Sequence, residues 1–347
     1  MKNNSPYYVY LRVAHHSGAS GYDRFVKYLD GNEIYSNSKR WPGNVISKKI
    51  NTLIALLTGA PWYTKAALSL ELRAFAKALL VKDQIFHFLY GDTDLHLLYN
   101  FRGLNDNKII ASYHQPPEEL VKGVSIRTLQ KLSSIVVVST SQIDFFANYM
   151  PRDRIFFVPH GIDTKFYQPP PLKLVDTPII ISVGSHLRDF ATLANAARII
   201  LKEEKTAQFI IVTRQENQKF FAGNENVTIK TGISDLELQK LYSQATISIL
   251  PLSDCTANNA VLESISSGLP TIVTDVGGIR DYVDESCVLL VHPNDAEKLA
   301  SSAIKLIHDN SLRASLSLAA RQRAEQLDFS CIAKQMLNVY QAVRQFD

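Results

Sequence analysis

LPLSDCTANNAVLESISSGLPTIVTDVGGIRDYV, residues 250–283, holds a strand end, a polar turn, a helix start and a second strand end in one run. The apolar segment Thr246–Leu250 predicts a strand, and the pattern over Ala257–Ser267 predicts a helix that opens around Asn258. Gly268 and Pro270 stop that helix, and Thr271–Thr274 predicts the next strand, ending at Asp275–Gly278. The first N–H groups of a helix have no partner inside it, and the helix dipole adds partial positive charge there. Such an end attracts phosphate. Asn258, Asn259, Ala260 and Val261 form this end, and Glu263, one turn further, can accept both hydroxyls of a ribose. The chemistry that suits this spacing is a diphosphate joined to a vicinal diol.

The same alternation of short apolar run, small-residue turn and helical pattern extends in both directions, and it predicts parallel strands with crossover helices. Upstream strand candidates are Tyr7–Val13, Gln84–Leu89, Lys108–Tyr113, Ile135–Ser139 and Ile155–Val158. Buried parallel strands are continuously apolar, as SIVVVS is. The cycle restarts at Ile179–Val183 and continues through Gln208–Thr213, Val227–Lys230, Thr246–Leu250, Thr271–Thr274 and Cys287–Val291. Helical patterns cover Leu236–Gln244, Ala296–Asp309, Leu312–Leu327 and Ser330–Phe346. Between the cycles lies YQPPPLKLVDTP, Tyr167–Pro178, whose three consecutive prolines fit neither helix nor central strand. The expected fold class is α/β, with two doubly wound, Rossmann-like domains: residues 1–168 and 169–330, followed by a helix over 331–347. A single large domain with irregular insertions is the alternative.

In such sheets ligands sit at the carboxyl ends of strands, so the turns after strands are the candidate sites. After the first strand, HHSGASGYDRF places Gly18 and Gly21 before a helical pattern, where backbone can approach an anion closely. The spacing is not GxGxxG, which argues against a nicotinamide dinucleotide. His114 follows KIIASY and is braced by Pro116 and Pro117, so it can donate a hydrogen bond or proton at a strand's carboxyl end. Thr140–Gln142 has the chemistry of a helix cap, and Pro159, Gly161 and Asp163 make a turn anchored by Ile162 and Phe166. Arg188 follows the first strand of the second cycle; its planar fork suits phosphate, with a surface pair to Asp189 as the alternative. Arg214, after FIIVT, offers a second cation.

Composition narrows the class. The chain has 347 residues, 46% hydrophobic and 20% charged, which is globular and long enough for two domains. Residues 1–168 carry 20 Lys+Arg against 13 Asp+Glu, and residues 169–347 carry 17 against 20. A basic first half suits an anionic partner; ordinary surface charge is the alternative. The three cysteines, Cys255, Cys287 and Cys331, show no CxxC or Cys/His ligand spacing. They fit a reducing compartment and argue against a disulfide scaffold or a structural zinc site. The start, MKNNSPYYVYLRV, lacks an apolar signal core, and no apolar run reaches the roughly 18 residues of a membrane span. Val45–Leu80, with Lys48, Lys49, Lys65, Arg73 and Lys77 among apolar stretches, either lies on an anionic bilayer surface or forms ordinary helices of the first domain. Basic residues are spread out, without the aromatic-interleaved patch of a nucleic-acid binder.

Taken together, FFVPHGIDTKFY, LQKLYSQATISILPL and NNAVLESISSGLPTIVTDVGGIRDYV resemble the GT-B glycosyltransferases, specifically glycosyltransferase family 4. The resemblance covers nearly the whole chain. It implies two Rossmann-like domains facing a cleft, with the first binding an acceptor, the second binding a nucleotide sugar, and the last helix crossing back to the first. It implies a retaining hexosyltransferase that needs no metal and no cofactor. The donor is then a UDP-sugar, UDP-glucose foremost, with a guanosine nucleotide second. The acceptor is a glycan or a lipid-linked sugar in polysaccharide biosynthesis, and the location is cytoplasmic or at the inner membrane face. By position, Glu263 matches the glutamate that holds the ribose, and Asn259, Ala260 and Val261 match the backbone donors to the diphosphate. His114 matches the histidine near the transferred sugar, and Gly18 the glycine loop at the phosphate.

Two departures stand out. The family's other glutamate falls on Cys255, so Asp254 or Asn258 is left to contact the sugar. Its usual arginine falls on Ser185, which leaves the diphosphate to Arg188, with Arg214 in support. These departures keep two other readings open: a GT-B nucleotide-sugar binder with impaired catalysis, and a sugar-nucleotide epimerase on the same fold.

Overall fold

The computed structural model describes residues 5–12, 18–37, 45–101, 104–170 and 177–346. Residues 171–176 of the proline-rich connector, and His15 and His16 beside Gly18, lie outside the described residues. The described chain divides into two compact units. One holds the residues up to His160, apart from Gly18–Ser20, together with the segment from Phe329 onward. The other holds Gly18–Ser20 and Gly161–Asp328.

The first unit contains strands β1 (Tyr7–Arg12), β2 (Asn32–Asn37), β3 (Ile85–Phe88), β4 (Lys108–Tyr113), β5 (Ser134–Val137) and β6 (Ile155–Phe157). They form one parallel sheet in the order β2-β1-β3-β4-β5-β6, which changes direction between β1 and β3. The inner strands β3 and β5 are buried at every position and are apolar apart from His87 and Ser134. Strand β2, NEIYSN, is absent from the sequence reading because it is an edge strand with largely exposed polar residues. Among helices of eight residues or more, this unit carries α1 (Val45–Thr58), α2 (Lys65–Ala78) and the last helix of the chain, Phe329–Val343. Helix α2 is capped by the Thr64 side chain, which accepts from Ala67 N, and it presses Leu70, Ala74 and Phe75 into the core under β1 and β3. The helical pattern after Gly21 forms a 3-10 helix, Tyr22–Tyr28, so the glycines do not precede an α-helix start.

The second unit contains β7 (Ile179–Val183), β8 (Gln208–Val212), β9 (Val227–Lys230), β10 (Ile247–Leu250), β11 (Thr271–Thr274) and β12 (Leu289–Val291). The parallel order is β12-β11-β10-β7-β8-β9, the dinucleotide-fold arrangement in which direction reverses between the first and fourth strands of the unit. Helices α3 (Phe190–Glu203), α4 (Asp235–Gln244), α5 (Asn259–Ser266), α6 (Ala296–His308) and α7 (Asn310–Gln326) cover the sheet. Two apolar layers result: one includes Ile200, Phe209, Ile249 and Leu299, the other Ile181, Leu250, Ile265 and Val273. Each fully buried aliphatic side chain contributes about 1.5–3 kcal/mol relative to exposure. The last helix, α8 (Phe329–Val343), belongs to the first unit. There Tyr340 Oη lies 2.7 Å from His87 Nδ1, and His87 Nε2 lies 2.7 Å from Ser112 Oγ. Burial pushes the His87 imidazole down to about 3, so this link is between neutral groups.

The division falls at 160/161, where the sequence reading set it at 168/169. The cause is the anchoring of Gly161–Tyr167. Ile162 N donates to Leu327 O (3.0 Å), Thr164 Oγ1 donates to Asp328 Oδ2 (2.7 Å), and Tyr167 is fully buried against Tyr242. One Nη of Arg321 donates to Thr164 O (3.1 Å), Tyr167 O (2.9 Å) and Ser266 O (2.8 Å), tying this turn to the end of α5. Replacing Arg321 by methionine leaves three carbonyls without their charged donor. It should lower unfolding free energy by about 2–4 kcal/mol in urea denaturation. A loss below about 0.5 kcal/mol, the range of an ordinary surface substitution, would contradict this role.

Candidate functional site

The site in the second unit is built by the turns that follow β7 and β10, the neighbours at the reversal of strand order. Gly184 ends β7 with φ of +107°, a conformation open to glycine, and a Cβ there would meet the Arg188 guanidinium at 2.5 Å. The chain then passes Ser185, which is half-buried, and reaches Arg188. The two turns are zipped together by backbone: Arg188 bridges Leu252, Asp189 N donates to Pro251 O (3.1 Å), and Ser253 N donates to Leu187 O (3.1 Å). Asp189 does not form the surface pair with Arg188. Its carboxylate accepts from Thr192 N (2.9 Å) and caps α3.

Arg188 is fixed by three acceptors. Its Nε donates to Val183 O (2.9 Å), Nη1 to His186 O (3.2 Å) and Nη2 to Asn258 Oδ1 (3.0 Å). Burial pulls its guanidinium down to about 10, still cationic at neutral pH. Asn258 is the N-cap of α5, and the same Oδ1 accepts from Val261 N (3.3 Å). One side-chain oxygen thus joins the cation to the helix start. Val261 N is satisfied by this cap and by Asn258 O, so the open donors of the first turn are the N–H groups of Asn259 and Ala260. Asn259 is exposed there, whereas Ala260 is buried.

Glu263 lies in α5 and is 4% exposed. Its Oε1 accepts from Ser20 Oγ (2.6 Å) and its Oε2 from Tyr242 Oη (3.0 Å). Burial pushes its carboxyl up to about 7, and these two donors restrain the rise. Gly18, on the same short segment as Ser20, donates its N–H to Asp235 Oδ2 (2.5 Å) at the start of α4. Ser20 and Tyr242 are absent from the sequence reading; Ser20 lies in the glycine turn SGASG and Tyr242 in LQKLYSQATISILPL, but neither stretch shows that they meet one carboxylate.

Cys255 is buried, its thiol donating to Val276 O (3.5 Å) and pushed up to about 12 by burial. Its carbonyl accepts from Gly278 N (2.7 Å), and at Gly277, φ +54°, a Cβ would meet that carbonyl at 2.1 Å. Cys255 therefore locks the loop after β10 to the loop after β11. Asp254 Oδ1 accepts from Cys255 N (2.7 Å) in the same lock. Arg214 stands apart, exposed and paired with Glu216 at 3.7 Å.

In the first unit, His114 follows β4, and Asp92, which follows β3, organises it. The carboxylate accepts from His114 N (2.9 Å) and lies 3.2 Å from His114 Nδ1. Tyr22 and Tyr90 pack on the ring at centroid distances of 4.6 and 5.2 Å. A carboxylate on Nδ1 fixes the ring's orientation. Asp92 is also absent from the sequence reading; its place after a strand is the signal that could have marked it.

With this geometry in place, the comparisons are specific. The family model described as "Glycosyl transferases group 1" matches residues 177–309. The chain is 30% identical to the sulfoquinovosyl transferase SQD2 of Arabidopsis thaliana, over 36% of this chain and 25% of that protein. It is 26% identical to the MMP alpha-(1->4)-mannosyltransferase of Mycolicibacterium hassiacum, over 60% of this chain and 53% of that one. The chain thus spans between a quarter and about half of the length of these relatives. Among solved structures, HepE of Anabaena in complex with UDP-glucose superposes with a TM-score of 0.71 at 12% identity, covering 97% of this chain and 99% of that one. Residues 177–309 thus match the group 1 glycosyl transferases, and the two parallel α/β sheets have the GT-B fold.

Proposed function

We propose that this protein transfers a hexose from a UDP-sugar, UDP-glucose foremost, to a glycan or lipid-linked sugar acceptor in polysaccharide biosynthesis, at the cytoplasmic side of the cell. One observation carries the reading: Arg188 and the start of α5 meet on Asn258 at the reversal of the second sheet, and Glu263 lies further along the same helix. The helix start and the guanidinium supply fixed positive charge for a diphosphate, and the carboxylate supplies two acceptors for ribose hydroxyls. HepE was solved with UDP-glucose, which supports uridine as the base.

In the reaction, the bond from the anomeric carbon to the β-phosphate oxygen breaks while the acceptor oxygen bonds to the same carbon. The acceptor proton passes to the departing phosphate. Attack from the face of departure retains the configuration, as the family resemblance implies. Negative charge grows on the leaving diphosphate, where Arg188 and the helix start would stabilise it, so the reading assigns no metal or other cofactor to this step. The family resemblance implies a role near the transferred sugar for His114, whose ring Asp92 orients. Ser185 and Gly18 border this chemistry, and Asp254 is the acidic group beside Cys255.

One observation favours a second reading, a nucleotide-sugar binder with impaired turnover. A buried thiol, occupied by Val276 O, stands where the family places a sugar-binding carboxylate.

Release of nucleoside diphosphate from a panel of nucleotide sugars, with and without glycan acceptors, separates the two. Arg188→Met should lower turnover of UDP-glucose by about 100- to 1000-fold, the usual cost of a lost charge-stabilising donor. A wild-type protein that binds UDP but releases none from any donor would favour the binder.

Affinity for UDP should depend on pH through Glu263. Hydroxyl donors favour its charged form, and burial holds its proton on until about pH 7. Affinity should therefore fall as pH drops below about 7, approaching tenfold per unit in calorimetric titration. Glu263→Gln should flatten this profile and weaken binding at pH 8 by about 10- to 100-fold. An unchanged profile in that variant would remove Glu263 from the site.

A further inference from the structure

Helix α1 turns its polar side inward and its apolar side outward. Ser47 is buried and accepts from Lys65 Nζ, and Asn51 Oδ1 accepts from Lys65 N (3.0 Å). Ile54 packs against the small cluster of Ala60, Tyr63 and Ala67. On the opposite side, Ile50, Leu53, Leu56 and Leu57 are 40%, 56%, 77% and 78% exposed. Their spacing places them along one stripe of the helix. A helix that served only to cover a core would bury those leucines and expose the serine and asparagine.

The charge along this stretch of sequence is mostly of one sign. Between Val45 and Lys82 the basic residues are Lys48, Lys49, Lys65, Arg73, Lys77 and Lys82, and the one acid is Glu71. Glu71 is buried, accepting from His96 N (3.1 Å) and Leu97 N (2.7 Å), so it presents no negative charge outside. Lys65 is held by Ser47, Lys77 lies over the Tyr7 ring, Arg73 donates to Tyr35 O, and Lys82 pairs with Asp106. Lys48 and Lys49 are exposed on α1 itself and make no ion pair among the described residues.

We propose that α1 docks on an anionic phospholipid bilayer, with Ile50, Leu53, Leu56 and Leu57 in the headgroup–acyl boundary and Lys48 and Lys49 against lipid phosphates. Exposed leucines beside unpaired lysines are the two components of interfacial binding, apolar burial and attraction to anionic lipid. No helix of the described residues is long and apolar enough to cross a membrane, so the contact is with one face. A second copy of this chain suits the surface less well, because α1 carries no acidic residue to pair with Lys48 and Lys49. If the transferase reading holds, such docking selects acceptors carried on lipid; the docking itself does not rest on that reading.

The test is co-sedimentation of the full chain with vesicles of phosphatidylcholine alone or mixed with phosphatidylglycerol. Wild type should sediment with the mixed vesicles, weakly with phosphatidylcholine, and less at about 0.5 M salt, where surface charge is screened. L56E/L57E and K48E/K49E should each reduce partition into the mixed vesicles by about tenfold or more. Both should keep the wild-type thermal transition, since these side chains are exposed. Wild type that stays in the supernatant, or L56E/L57E that binds unchanged, would overturn the docking. So would a dimer in solution that L56E/L57E dissolves in a protein with no affinity for vesicles. UDP titration of the same proteins keeps the two readings apart: vesicle binding without nucleotide binding supports the docking and counts against the transferase, and the reverse result overturns only the docking.

Discussion

The side-chain oxygen of Asn258 is the point on which the candidate donor site depends. It caps α5 through Val261 N and accepts from Arg188, so one atom fixes both the direction of the helix start and the position of the cation. Everything around it serves that junction. Gly184 leaves room for the guanidinium, the bridge between Arg188 and Leu252 holds the two turns together, and Cys255 ties the loop after β10 to the loop after β11. Preorganisation of this kind matters because fixed donors need no rearrangement when charge develops nearby.

The buried ionisable groups divide by what they hold. Glu71 in the first unit accepts from backbone at His96 and Leu97 and closes a loop, and His87 links Tyr340 of α8 to Ser112 of β4. These groups have all their partners within the fold. Glu263 differs in accepting from side-chain hydroxyls, Ser20 and Tyr242 among them, where Glu71 adds two backbone N–H donors to the Tyr63 hydroxyl, and a ribose hydroxyl can replace a hydroxyl without leaving a charged donor unpaired. That difference in partner chemistry is why Glu263 reads as a ligand site and Glu71 as structure.

Much of this organisation was legible in the chain itself, for physical reasons that also mark where legibility stopped. Strand β5 announces itself because a strand covered on both faces is continuously apolar; β2 does not, because an edge strand carries polar residues like any loop. The helix start at Asn258 was readable because capping is local, involving residues within one turn. The partners of Glu263 were not, since Ser20 lies 243 residues away and only the fold brings it close. Asp92 was hidden for the same reason: that it follows a strand is local, but that its strand neighbours the one before His114 is not. The three prolines marked a connector, yet the boundary moved upstream because Arg321 and Asp328 anchor Gly161–Tyr167, again over long separations. Arg214, chosen for its charge and its place after a strand, is paired with Glu216 at the surface.

The central claim is that the start of α5 and Glu263 hold the diphosphate and ribose of an activated sugar. A crystal structure of the full chain with UDP tests it most directly. The account predicts phosphate density against the N–H groups of Asn259 and Ala260 and beside Arg188, with ribose hydroxyls on Glu263 in place of Ser20 or Tyr242. Well-ordered nucleotide bound elsewhere, with Glu263 still held by both hydroxyls, would contradict it.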